Sequence, residues 1–357
     1  MTEVKRYLKP LAALYGAAVA VRGWLFDSEV LHSRSFALPV ICVGNITVGG
    51  TGKTPHTEYL IRLLCAMGKR VAVLSRGYGR STHGYVVADD QTTAFTIGDE
   101  PLQMHLKFPD VTVAVCESRV TGIERLLERD EPPTAILLDD AFQHRYVKAG
   151  LNVVLVDYHR PVYEDALLPA GRLREPMTAL ERADIVVVTK CPKRISPIDI
   201  HLVETCLHLR PWQKLFFTRM VYGSPYALFP NAEGEHRHMT LLDLRVYENV
   251  MLLSGIARPE YLADDMASYC LHTTIVSFPD HHTFTRRDVE RINTTFDAMI
   301  VREKLILTTE KDATRLIAMD GLSDKVREAI YVLPMSVEFV RNDQDAFDKS
   351  IKEAVLR

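Results

Sequence analysis

The sequence lacks a run of the roughly 20 apolar residues that a membrane-spanning helix needs; the apolar stretch at 11–21 falls far short. It has no C-x-x-C pair, no zinc-ligand spacing and no H-E-x-x-H, which removes the common structural and catalytic zinc sites. The six cysteines, Cys42, Cys65, Cys116, Cys191, Cys206 and Cys270, read as reduced core thiols of a cytosolic protein. A net charge of -3 supplies no global basic field to attract nucleic acid, and no protein partner is expected either. Low-complexity tracts and internal repeats are absent as well. What remains is an ordinary globular composition, 47% hydrophobic and 25% charged over 357 residues, enough for two domains.

Short apolar runs at 39–44, 70–74, 111–116, 135–138, 151–156 and 185–188 alternate with helical patterns near 54–67 and 118–129. Strands alternating with helices indicate a mostly parallel sheet covered on both faces. A segment at 214–220 reads as an edge strand or connector. The Pro-, Gly- and His-rich stretch 222–239 marks a boundary. Beyond it the alternation resumes more weakly, with strands at 250–253, 273–277, 305–307 and 330–333, and helices near 258–268 and 285–302. The expected fold class is α/β: a P-loop NTPase-like domain with a mostly parallel sheet (31–221), a linker (222–245) and a smaller second α/β domain (246–357). Residues 1–30 form an N-terminal membrane-associated helix.

That helix is read from residues 3–26. At about 100° per residue, Val4, Leu8, Leu11, Tyr15, Ala18 and Val19 share a face, with Lys5, Arg6 and Lys9 towards the other side. Trp24 and Phe26 follow, as suits a membrane interface. The segment also resembles a signal peptide, but cleavage is not expected of a chain that needs ATP.

The chemistry begins at Gly44-Asn-Ile-Thr-Val-Gly-Gly-Thr-Gly-Lys53-Thr54, between a strand and a helix. This is the context a phosphate-binding loop requires. Thr47, Val48, Gly49, Gly50, Thr51 and Gly52 would offer backbone N–H groups to phosphate oxygens. Lys53 would reach the β- and γ-phosphates, and the Thr54 hydroxyl would hold Mg²⁺. The strict pattern wants glycine where Thr47 stands; Gly49 and Gly50 supply the permissive backbone instead. Some 80 residues on, an apolar strand ends in Asp139-Asp140, the form that holds Mg²⁺ or its water shell. Alternation along a strand points these two carboxylates to opposite faces.

Other P-loop proteins were weighed. Membrane-targeted ATPase switches carry a lysine directly before the two glycines, where this chain has Val48. Guanine readers use Asn-Lys-x-Asp; the nearest match, Thr189-Lys190-Cys191-Pro192, lacks Asn and Asp, so ATP is the expected nucleotide.

Further motifs follow in order: Leu74-Ser-Arg76-Gly-Tyr78-Gly-Arg80, Gly98-Asp99-Glu100-Pro101, Asp139-Asp140-Ala-Phe-Gln143-His144-Arg145 and Leu168-Pro-Ala-Gly171-Arg-Leu-Arg174-Glu175-Pro176. Phe278-Pro-Asp280-His281-His282 and Thr308-Thr-Glu310-Lys311-Asp312 complete the set. With the N-terminal helix, they resemble the tetraacyldisaccharide 4'-kinase family over most of the chain. Two departures are small: Ala141 where glycine is common, and His282 where tyrosine is common. The resemblance implies transfer of the ATP γ-phosphate to the 4'-hydroxyl of an acylated glucosamine disaccharide 1-phosphate, giving lipid IVA. It implies work at the cytoplasmic face of a bacterial inner membrane. Asp99 is then the expected catalytic base and His281 its dyad partner. Glu100 joins Thr54, Asp139 and Asp140 as a Mg²⁺ candidate, and Arg174 becomes a phosphate contact. The bland rivals are a helix-capping Asp99 and a polar loop at His281 and His282.

Overall fold

Burial on both sides of a parallel sheet explains the first run of strands. In β1 (Val40–Gly44) every residue is buried. Val40 and Cys42 enter one core, Ile41 and Val43 the other. The computed structural model describes residues 5–255, 259–279, 282 and 284–356. The same pattern recurs in β2 (Val71–Ser75), β5 (Ala135–Asp139) and β7 (Ile185–Thr189). The short β3 (Val86–Val87) and β4 (Thr112–Val115), with β6 (Leu151–Asp157) and β8 (Lys214–Tyr222), extend the sheet. Later strands are β9 (Tyr226–Ala227), β10 (Asn249–Ser254), β11 (Thr273–Ser277), β12 (Lys304–Thr309), β13 (Ile330–Leu333) and β14 (Met335–Phe339).

Nine strands form one sheet in the order β14-β8-β7-β6-β1-β5-β2-β4-β3. Its interior is parallel, with antiparallel β14 and β3 at the edges. β1 is central, between β6 and β5, and Val43 pairs with Asp139. The phosphate loop therefore leaves the sheet beside the carboxylates at the end of β5, at the carboxyl ends where open α/β sheets bind ligands. The second sheet runs β11-β10-β12-β13-β9, parallel except for β9.

The expected boundaries need correction. The stretch 222–245 is more than a linker: Tyr226–Ala227 pairs with β13, and Leu244 is buried in a short 3-10 turn. Residues 334–356 do not stay with the second half. β14 returns to pair with β8, and Phe347, Ile351 and Val355 of the last helix (Gln344–Leu356) enter a core of the first sheet. The second sheet is thus an insertion between β8 and β14. The segment at 214–220 is β8, flanked by β7 and β14 and so interior to the sheet.

The N-terminal helix spans Lys9–Asp27 and docks on the first half. The Tyr15 hydroxyl donates to the Arg174 carbonyl at 2.8 Å, and Arg22 donates to the Gln143 carbonyl at 3.0 Å. The Arg145 guanidinium lies over the Phe26 ring at 4.9 Å. Docking engages part of the expected face and leaves part outward. Tyr15 points inward because its hydroxyl has a partner and Phe26 is buried, while Leu11, Ala18 and Trp24 stay exposed, with Leu14 and Val21 beside them. Val4 lies outside the described residues. Among the described residues no helix is long and apolar enough to cross a membrane.

Candidate active site

Glycines set the phosphate loop's path. Gly49 has φ +102° and Gly52 φ +86°, where L side chains are strained. Gly52 caps the helix Lys53–Ala66, so Lys53 and Thr54 occupy its first turn. The loop's carbonyls are engaged from outside. Lys190 Nζ donates to the Gly50 carbonyl, Thr189 Oγ1 to the Thr51 carbonyl at 2.8 Å, and His56 Nδ1 to the Gly52 carbonyl at 2.7 Å. A carbonyl only accepts, so the His56 proton sits on Nδ1, and Nε2 accepts from the Thr218 hydroxyl at 3.0 Å. Burial pushes the His56 pKa down to about 4, which keeps the ring neutral. With carbonyls held outward, the loop's N–H groups are available to an anion, reinforced by the helix N-terminus. Val48 N–H is the exception, donating to the Arg172 carbonyl at 2.8 Å.

Asp139 and Asp140 differ sharply. Asp139 ends β5, fully buried, and accepts from the Thr57 hydroxyl at 3.3 Å. Burial, then the Glu100 and Asp140 charges, push its pKa up to about 7. Asp140 lies past the strand at φ +47°, so strand alternation does not govern it. Its Oδ1 is 3.6 Å from Lys53 Nζ, and its two oxygens accept from Arg174 Nη1 at 3.1 and 3.2 Å. Burial opposes its charge, but Lys53 and Arg174 outweigh that and hold its carboxyl below the usual range. Arg174 is therefore a partner of Asp140, positioned by its own N–H donating to the Ile46 carbonyl at 2.7 Å.

Asp99 does not cap its helix (Asp99–Lys107); Gly98 occupies the cap, with no side-chain cap bond. The Asp99 carboxylate instead forms a buried, two-point ion pair with Arg315 of the second half, at 2.7 Å from Nε to Oδ1 and through Nη2 to Oδ2. His281, its expected partner, lies outside the described residues, as does Asp280. His282 accepts from Arg315 Nη1 through its carbonyl at 2.9 Å, and its ring meets Asp288 at 2.9 Å and stacks on Phe278.

Sequence reasoning missed Arg119. It is only 2% exposed, donates to the Cys116 carbonyl at 2.6 Å, and among the described residues has no partner for Nε and Nη2. Burial pushes its pKa down to about 10, opposed by the charges of Asp139 and Asp140. His144 is held down to about 4 by burial and then by the positive charges of Arg119, Arg76 and Arg22, so its ring sits neutral in an electropositive surrounding. A buried guanidinium with two unused donors suits an anion contact.

The residues fit nucleotide and metal. Among the described residues Asp139 Oδ2 is buried without a partner, as are Nε and Nη2 of Arg119. Among the described residues no three His, Cys, Asp or Glu side chains form a metal cage. Mg²⁺ binds through one or two carboxylates and substrate phosphates, a role open to Asp139 and Asp140.

Residues 4–356 match the sequence family described as tetraacyldisaccharide-1-P 4'-kinase. A tetraacyldisaccharide 4'-kinase of Bacteroides thetaiotaomicron is 50% identical, over 98% of this chain and 93% of that protein. One from Phocaeicola vulgatus is 45% identical, over 100% and 97%. Among solved structures, LpxK from Aquifex aeolicus in complex with ATP shares 27% identity at a TM-score of 0.74, over 98% of this chain and 99% of that one.

Proposed function

The chain belongs to the tetraacyldisaccharide-1-P 4'-kinase family, and from that premise we propose how its residues divide the work of phosphoryl transfer. It is an ATP-dependent phosphotransferase with an alcohol acceptor, and the acceptor is a lipid disaccharide. The finer reading is transfer to the 4'-hydroxyl of tetraacyldisaccharide 1-phosphate, yielding lipid IVA.

The loop from Thr47 to Gly52 and Lys53 hold the β- and γ-phosphates, and Thr54, Asp139, Asp140 and Glu100 hold Mg²⁺ or its waters. Bound Mg²⁺ neutralises charge on the β- and γ-phosphate oxygens. Lys53 and Arg174 supply the remaining positive charge where the loose transition state spreads its negative charge. The acceptor oxygen bonds to the γ-phosphorus as the bond to the ADP oxygen breaks, and Asp99 takes the hydroxyl proton. Arg315 grips both oxygens of that carboxylate. Arg119 and Arg76 make the surrounding of His144 electropositive, and the acceptor's polar head is held there.

The single observation that carries this reading is the arrangement at the carboxyl ends of β1 and β5. There Lys53, Asp140 and Arg174 share one ionic contact beside the Oδ2 of Asp139, buried and unpartnered among the described residues. The outward apolar face of the N-terminal helix supports peripheral attachment at the cytoplasmic face of the inner membrane. Arg119→Met tests the acceptor site: KM for the lipid should rise about tenfold, the worth of one charge-assisted contact, while KM for ATP holds. The reverse pattern would reassign Arg119 to the nucleotide.

A further inference from the structure

We propose that Arg315 is a positioning residue for phosphoryl transfer, which fixes the Asp99 carboxylate and makes its geometry depend on the second half of the chain. The inference rests on the reading of Asp99 as proton acceptor.

Among the described residues Arg315 directs three donors at Asp99 and His282. Nε and Nη2 grip both oxygens of Asp99, and Nη1 reaches the His282 carbonyl at 2.9 Å. A planar guanidinium meeting a carboxylate at two points fixes the plane of the carboxylate as well as its distance, which a lysine ammonium does not. The pair is screened from water: both residues are only 9% exposed.

Both sides of the grip are held independently. Gly98, just before Asp99, has φ +91°, and a Cβ there would sit 2.8 Å from the Tyr78 carbonyl, so the backbone presenting Asp99 has little freedom. The His282 carbonyl is fixed by the ring's contacts to Asp288 and Phe278. Arg315 itself sits on the short helix Glu310–Leu316, which packs against Asp99–Lys107.

That helix pair is joined a second time. Lys107 donates to Glu310 at 2.5 Å and reaches Glu58, on the phosphate-loop helix, at 2.7 Å. Lys107 and Glu310 already tie the two halves together. The Asp99–Arg315 pair is therefore not needed merely to join them, and it is the contact that sets the orientation of a reacting group. Without Arg315 the carboxylate loses the two-point grip that fixes its plane. A misplacement of about 1 Å in a reacting group costs on the order of 100-fold in rate.

The test compares Arg315→Gln, Arg315→Lys, Asp99→Asn and Lys107→Gln by steady-state transfer of labelled phosphate from Mg·ATP to the lipid acceptor. Arg315→Gln should lower kcat by about 100-fold, with KM for ATP within about threefold. Arg315→Lys should recover part of that loss, because one charge contact returns without the fork. Lys107→Gln, which loosens the seam away from the carboxylate, should lower Tm and keep kcat. Asp99→Asn inactive with Arg315→Gln at wild-type kcat would overturn the positioning role and leave Asp99 as the base. An active Asp99→Asn would remove the base beneath it. Should Arg315→Gln fail to fold, Arg315→Lys decides: a wild-type kcat overturns the proposal.

Discussion

The Nζ of Lys53 lies 3.6 Å from Oδ1 of Asp140, so the phosphate-loop lysine and the carboxylate beyond β5 already face each other across the site. Arg174 meets the same carboxylate. A γ-phosphate entering here meets two cations whose positions are set by a protein anion, which is how a site holds charge in place before reaction. Lys53→Ala removes a preorganised cation and almost no packing. We expect transfer to fall by about 100-fold or more with an unchanged melting curve. A folded variant with near-normal turnover would contradict the role of Lys53.

Lys107 tests the seam. Glu58 is almost fully buried at its side chain, and burial raises its pKa against the opposing pull of Lys107. Lys107→Met leaves that carboxylate with the more exposed Arg62, at 3.4 Å, as its cation among the described residues. Breaking a buried pair this way costs about 3–5 kcal/mol; partial exposure of Lys107 puts the expectation near the lower end. Urea unfolding would measure it. Adding Glu58→Gln should return part of the loss, because the stranded charge is gone. Additive losses would show that the two residues do not act as a pair.

How much of this was legible beforehand depends on how local the signal is. The phosphate loop and the strand into Asp139 were readable because apolar runs and Gly-Lys-Thr sit within a few residues of the chemistry. The separate behaviour of Asp139 and Asp140 was not, because a left-handed residue after β5 cancels strand alternation. β14 escaped notice because its residues are mostly half-buried and its partner β8 is over a hundred residues away. The last helix did carry a signal, Phe347, Ile351 and Val355 at fourfold spacing, but spacing does not say which sheet it covers. Arg315 pairs with a residue 216 positions distant, and no motif around it announces the contact. The outward face of the N-terminal helix was legible only in part because the Tyr15 hydroxyl has a partner that a helical wheel cannot see.

That outward face leads to a membrane test. Leu14 is 70% exposed and Trp24 63%. Replacing both with glutamate should cut the fraction bound to anionic vesicles by about tenfold or more, since burying one such side chain contributes about 1.5–3 kcal/mol. The melting temperature should hold, because neither side chain is packed in the fold. Unchanged vesicle binding would remove the helix from membrane attachment.

His144 gives a pH signature. Its pKa is held down to about 4 in the fold, by burial and then by Arg119, Arg76 and Arg22, against an ordinary value of 6.5. Between those values the unfolded chain binds a proton that the native ring does not. Stability linked to His144 is therefore complete above about pH 6.5 and declines as pH falls towards 4. The wild-type stability minus that of His144→Gln should shrink across that window. A difference independent of pH would mean the ring titrates normally in the fold.

The most direct test of phosphoryl transfer at this site is a label-transfer experiment on detergent-solubilised protein. It would receive γ-labelled ATP, Mg²⁺ and tetraacyldisaccharide 1-phosphate, with Asp99→Asn in parallel. Label should appear on the lipid with wild type and fall by about 100-fold or more in the variant, the range of a lost general base. Label released only as inorganic phosphate, with no labelled lipid, would contradict a site built to pass phosphate to a sugar hydroxyl.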